Sequence, residues 1–164
     1  MKPALLVIDV QKAFFRDPTT ARSLEAAIEY INAAIELFRE KGLPVVCIQH
    51  LDPEEQLVPG EDGFEIPDSL NILASDKRIH KTYSNSFCKT SLEEELRQLS
   101  VDTVIITGYC AEYCVLSTCR GGQDVDLTPI ILRGSIASGV EKNTAFVESV
   151  NDVISYGALK KILE

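Results

Sequence analysis

Three residues of this sequence have the types and placement for joint chemistry: Cys114, Asp9 and Lys81. Cys114 follows the tight segment Gly108-Tyr109-Cys110-Ala111-Glu112-Tyr113, between an apolar run and a helical pattern, which sets it near a helix start. Free amide N–H groups and a positive dipole end at such a place ease ionisation of a thiol and can hold the negative oxygen of a tetrahedral adduct. Asp9 ends the apolar run Ala4 to Ile8, where a buried carboxylate requires a compensating cation or hydrogen-bond donors. Lys81 ends another predicted strand and is a candidate for that cation. A nucleophile, a base and a charge-setting lysine at strand ends of one sheet would form an acyl-transfer constellation. Taken singly, each has a plainer reading: a small buried helix residue for Cys114, and a structural ion pair or exposed strand-end charges for the other two.

The elements that must position them alternate along the chain. Ala4–Ile8 reads as a strand buried on both faces, and from Ser23 to Phe38 apolar residues recur at helical spacing until Lys41-Gly42 and Pro44 close the pattern. Val45–Ile48 is a second strand, with Gln49-His50 where it would leave the sheet. Leu51 to Asp76, rich in Asp, Glu, Pro and Gly, reads as a long surface loop. A short strand at Arg78–Lys81 follows, then a helix opened by a capping box at Thr90/Glu93 or Ser91/Glu94. Val101–Thr107 is a strand, Glu112–Arg120 a helix ended by Gly121-Gly122, and Leu127–Leu132 another strand. Asn143–Tyr156 supplies a last helix, leaving Ala158–Leu163 as an edge strand. Strands separated by helices argue a three-layer α/β/α fold with a mainly parallel central sheet of about six strands, in one domain over residues 1–164. In open sheets of this kind ligands bind beyond the carboxyl ends of the strands, where Asp9, Gln49, Lys81 and Gly108 to Cys114 would gather.

Composition narrows the partners. With 164 residues, 45% of them hydrophobic, the chain can build a core without a metal or disulfide staple. Sixteen Lys plus Arg against twenty-five Asp plus Glu give a net charge of -9, which repels phosphate backbones and anionic lipid, so neither nucleic acid nor a membrane is an expected partner. The N-terminal apolar run is too short for a signal peptide, and the five cysteines are an odd count, so the expectation is a cytoplasmic protein with reduced thiols.

Asp9-Val10-Gln11 with Phe14, then Lys81-Thr82-Tyr83-Ser84-Asn85-Ser86-Phe87, then Gly108-Tyr109-Cys110-Ala111-Glu112-Tyr113-Cys114-Val115 resemble, in order, the isochorismatase-like cysteine hydrolases, among them nicotinamidase and N-carbamoylsarcosine amidase. The likeness runs from Leu5 to Gly134-Ser135-Ile136-Ala137-Ser138 and the helix beyond. It implies a Rossmann-like fold and an Asp9-Lys81-Cys114 triad attacking a carbonyl carbon bonded to nitrogen in a small amide, imide or ureido substrate through a thioester. It also implies a cis peptide between Tyr109 and Cys110, with the N–H groups of Cys110 and Cys114 as oxyanion hole. Gln11, Phe14, Tyr109 and Tyr113 would then contact substrate, with Tyr83 and Glu112 as further lining candidates. A homodimer or homotetramer is implied, with pocket walls drawn from the Leu51–Asp76 loop and a neighbouring subunit.

Two features separate the chain from metal-dependent nicotinamidases. Gln49-His50-Leu51-Asp52 stands where those enzymes place an Asp-x-His pair, and His80 is the one other histidine, so three-histidine coordination within a subunit is excluded and neither metal nor other cofactor is expected. Cys110, Cys114 and Cys119 do not match the paired spacings of zinc sites. Whether His50 or His80 joins an intersubunit metal site stays open at this level. Three alternatives remain beside C–N hydrolysis: isochorismatase-type vinyl ether hydrolysis, a redox pair of Cys110 and Cys114, and a non-catalytic module that binds a small ligand.

Overall fold

The computed structural model describes residues 1–164. Six parallel strands, β1 Pro3–Ile8, β2 Val45–His50, β3 Lys77–Lys81, β4 Thr103–Gly108, β5 Thr128–Ile136 and β6 Val153–Ile154, lie in the order β3-β2-β1-β4-β5-β6. This is the doubly wound order, whose direction of winding reverses between β1 and β4. Because side chains alternate across a strand, Leu5, Val7 and Ile105 enter one core while Ala4, Leu6, Ile8, Val104 and Ile106 enter the other. Helices α1 (Pro18–Glu40) and α5 (Tyr156–Ile162) cover the first face; α2 (Leu92–Gln98), α3 (Leu116–Asp124) and α4 (Glu141–Ser149) cover the second. No helix is long and apolar enough to cross a membrane.

Several boundaries differ from the sequence reading, each for a local reason. Helix α1 begins at Pro18 rather than Ser23 because the Asp17 carboxylate accepts a hydrogen bond from the Thr20 N–H at 2.8 Å, with Pro18 in the first turn where no N–H is needed. Asp17→Ala is expected to lower the unfolding free energy by about 1 kcal/mol, read as a lower urea midpoint at unchanged slope. No capping box forms at α2: Ser91 Oγ donates to Glu95, and Thr90 Oγ1 accepts from the Leu92 N–H. Helix α3 runs through Gly121-Gly122 instead of stopping there. A Cβ at Gly121 would lie 2.2 Å from Asn85 Oδ1, so this glycine serves the close approach of the segment after β3. Most different is the C-terminus. The last predicted helix stops at Ser149, the edge strand is Val153–Ile154, and the expected strand at Ala158–Leu163 lies in helix α5, whose Ser155 cap accepts from the Ala158 N–H and whose Leu159 is fully buried.

The segment between β2 and β3 is better held than a surface loop. A turn closes Asp52 on Leu57, Phe64 and Leu70 are buried, and Arg39 of α1 binds both the Asn71 carbonyl and the Asp76 carboxylate. Its apolar residues draw it against the sheet edge and α1.

Candidate active site at the switch point

Strands β1 and β4 approach each other closely where they end. Gly108 sits opposite Ile8 with φ 112°, and a Cβ there would lie 2.0 Å from the Ile8 carbonyl oxygen, so only glycine fits. Asp9 follows with φ 51°, the left-handed region that aspartate enters more readily than most residues. Beyond Gly108 the Tyr109–Cys110 peptide is cis, as the resemblance implies, and residues Ala111–Val115 form a π-type turn closed by the Val115 N–H on the Cys110 carbonyl at 3.1 Å. Cys114 therefore lies on a widened turn ahead of α3 rather than on a regular helix start.

The three sequence candidates meet. Lys81 Nζ donates to Asp9 Oδ2 at 2.7 Å and lies 3.4 Å from Cys114 Sγ, with Asp9 and Lys81 each 1% exposed. Asp9 Oδ1 is buried with no hydrogen-bond partner, and the Cys114 sulfur lies within 4.8 Å of the carboxylate. The Cys110 N–H donates to no protein acceptor, and the Cys114 N–H to none outside its own turn.

Burial pushes the Asp9 carboxyl above its ordinary range, and the Lys81 ammonium pulls it back only in part. Burial also pushes the Cys114 thiol up to about 11, the Asp9 charge adding to it and Lys81 opposing. This reverses the expectation of an easily ionised thiol: desolvation and a neighbouring carboxylate outweigh the amide dipoles of the turn. A thiolate titration followed by ultraviolet absorbance is expected to place Cys114 far above an exposed cysteine. Asp9→Asn should lower its midpoint by removing the adjacent negative charge, and Lys81→Met should raise it.

A cavity of about 460 Å³ opens over these groups, lined by Asp9, Phe14, His50, Ser84, Tyr109, Cys110, Glu112, Tyr113, Cys114, Gly139 and Val140. Phe14 packs against Tyr109 at 4.8 Å between ring centroids, and Tyr113 stands at the exposed mouth. The structure does not bring Gln11 to the cavity. Its amide is fully buried, donating to the carbonyls of His50 and Phe64 and accepting from the His50 N–H, so it fastens the end of β2 and the loop after it. Tyr83 does not line the cavity either, nor does any residue of Leu51–Asp76, because that loop is tied down along α1 and the far strands.

His50, left open in the sequence as a ligand of an intersubunit metal, is placed by the structure beside the three candidates, a position that sequence reasoning missed. Alternation along β2 supplied the signal: Gln49 turns away, donating to the Phe64 carbonyl, whereas His50, in register with Lys81, sends Nδ1 to within 3.3 Å of Lys81 Nζ. Burial and the adjacent ammonium lower its pKa, keeping the ring neutral. Ligand atoms of Asp9, His50 and Cys114 lie within 4.8 Å of one another, a spacing that suits a metal ion, but the Lys81 ammonium already bonds with all three residues. His80 is exposed, edge-on to Phe64, and takes no part.

The half-buried thiol meets the buried carboxylate and ammonium at the switch point of a doubly wound α/β sheet, beside a cis peptide. The chain belongs to the isochorismatase family: the isochorismatase domain model matches residues 3–153. It is 39% identical over 139 residues to the isochorismatase family protein YrdC of Bacillus subtilis, covering 84% of this chain and 74% of that one. Among solved structures, N-carbamoylsarcosine amidase from Thermoplasma acidophilum superimposes with a TM-score of 0.82 at 28% identity, covering 94% of this chain and 96% of that one. An isochorismatase-like hydrolase from Alkaliphilus metalliredigens shares the fold over the full length of both chains, with a TM-score of 0.90 at 23% identity.

Proposed function

We propose that this protein is a cysteine-dependent hydrolase that cleaves a C–N bond of a small amide, imide or ureido compound through a thioester. The observation that carries the proposal is the buried contact of Lys81 with both Asp9 and Cys114 under an open cavity. Likeness to an N-carbamoylsarcosine amidase supports the choice of bond.

Because burial and Asp9 hold the thiol protonated, attack and proton transfer must be coupled. Asp9, made a stronger base by burial, takes the Cys114 proton as sulfur bonds to the carbonyl carbon, and the oxygen gains the negative charge. The N–H of Cys110, which has no protein acceptor, and that of Cys114, which has none outside its own turn, receive that oxygen. Collapse expels the nitrogen group, which carries away the proton from Asp9, and leaves the Cys114 thioester. Water then attacks, giving its proton to Asp9; the C–S bond breaks and sulfur recovers the proton. Lys81 keeps its charge beside both partners throughout, so neither proton transfer leaves an isolated buried charge. A redox pair of Cys110 and Cys114 has less support, since burial pushes Cys110 up to about 12 and leaves both thiols poor in thiolate.

The test is a screen of small amides and ureido compounds for ammonia release by chelator-treated protein, with acid-quench mass spectrometry of the Cys114 peptide. Ammonia release with an acyl adduct on Cys114 supports the reading. Hydrolysis that survives in Cys114→Ala sinks it.

A further inference from the structure

We propose that Glu112 makes the cavity select against carboxylate-bearing compounds, so that the amide it accepts is neutral or cationic. The inference rests on the cavity being the place of thiol attack, and it narrows the substrate class.

The charges around the cavity sum to one negative. Asp9 and Lys81 cancel whichever of them holds the shared proton, His50 is neutral, and no arginine or second lysine lines the wall. Glu112 remains. Burial alone would raise its carboxyl, but hydrogen bonds from Asn143 Nδ2 at 2.8 Å and Ser138 Oγ at 3.0 Å bring it below the ordinary carboxylate range, so it is ionised at neutral pH. Both donors serve Oε1. The Glu112 N–H and the Cys110 thiol act in the same direction, but all of these donors are neutral groups, so the unit negative charge is stabilised without being cancelled. The adjoining cavity beyond Ser138 carries one charge of each sign, Arg22 and Glu141, and adds no net charge. A net charge of -9 on the chain acts in the same direction at longer range. An anionic ligand would thus enter a partly desolvated cavity whose wall carries one net negative charge, with no cation free to pair with it.

The experiment compares two probes of nearly equal size, iodoacetamide and iodoacetate, by site-resolved mass spectrometry at Cys114. The amide-over-acid rate ratio at Cys114 is expected to exceed that of a small neutral thiol, N-acetylcysteinamide, by about tenfold. In Glu112→Gln, which keeps an acceptor for Asn143 and Ser138, the ratio should fall toward that of the free thiol. An unchanged ratio in that variant, or no excess in the wild type, overturns the proposal. Should the variant misfold, the wild type decides alone: the ratio of Cys114 modification by aminoethyl over sulfonatoethyl methanethiosulfonate must exceed the same ratio for N-acetylcysteinamide, and equal ratios overturn the idea. Labelling needs no turnover, so it separates charge selection from the hydrolase reading. Cleavage of N-carbamoylglycine as efficiently as methylurea would overturn the selection while leaving amide hydrolysis standing.

Discussion

Cys114→Ala should lower the rate of amide hydrolysis by about 10⁴-fold or more, the scale on which removal of an attacking side chain acts when the remaining machinery works only as a unit. Cys114→Ser should be nearly as inactive. A serine hydroxyl is a far weaker acid than the thiol, and the base beside it is one carboxylate already bound to an ammonium. Neither change should shift the urea midpoint by more than the equivalent of about 1 kcal/mol, since Cys114 is only half-buried and fills no deep core position. Steady-state rates with urea unfolding on the same preparations check both halves. Folded Cys114→Ala protein that retained a tenth of the wild-type rate would remove the nucleophile from the mechanism.

The second large effect is on stability. Lys81→Met removes the one cation from a carboxylate that is 1% exposed, and the expected loss of unfolding free energy is about 3–5 kcal/mol, with activity lost as well. Asp9→Asn has the mirror defect, an ammonium without its counter-charge. The double variant Asp9→Asn/Lys81→Met buries no net charge, and should regain much of the stability while regaining none of the activity. That divergence separates the two roles of the pair. A Lys81→Met protein as stable as the wild type would show that the pair contributes no more than an exposed one.

The fold was legible wherever one kind of physics dominates locally. The strands expected at Ala4–Ile8 and Val101–Thr107 lie in the buried parallel strands β1 and β4, and a doubly wound order carries their ends to the switch point, so Asp9, Lys81 and Cys114 could be placed together from position alone. Where tertiary contacts decide, legibility failed. Gly121-Gly122 reads as a stop, yet these glycines accommodate Asn85 and Phe87 within a continuing helix. Ala158–Leu163 is apolar enough for an edge strand, but the Ser155 cap and the buried Leu159 make it helical. The direction of the Cys114 shift was hidden for the same reason, because desolvation depends on neighbours distant in the chain. Gln11 belongs to a motif that the resemblance ties to substrate, and its hydrogen-bond partners in this chain are all main-chain groups of other segments.

The loop after β2 is fastened beneath the site at the Phe64 carbonyl and along α1 through Arg39 and Asn32. The Phe64 oxygen receives the amides of both Gln11 and Gln49, and between Leu51 and Asp76 no side chain reaches the cavity. Turnover and chain length are thereby uncoupled on this side of the molecule at the exposed turn of residues 53–56, where residues can be added or removed between the loop's fastenings while the reacting groups keep their places. Beyond β5 no such freedom exists. There the Ala137 carbonyl binds the Ala111 N–H at 2.8 Å, and Gly139 and Val140 form cavity wall, so one inserted residue would shift the nucleophile's turn and the wall together. Diversification of this scaffold, in nature or by grafting, is cheap at the first place and confined to side-chain exchange at the second.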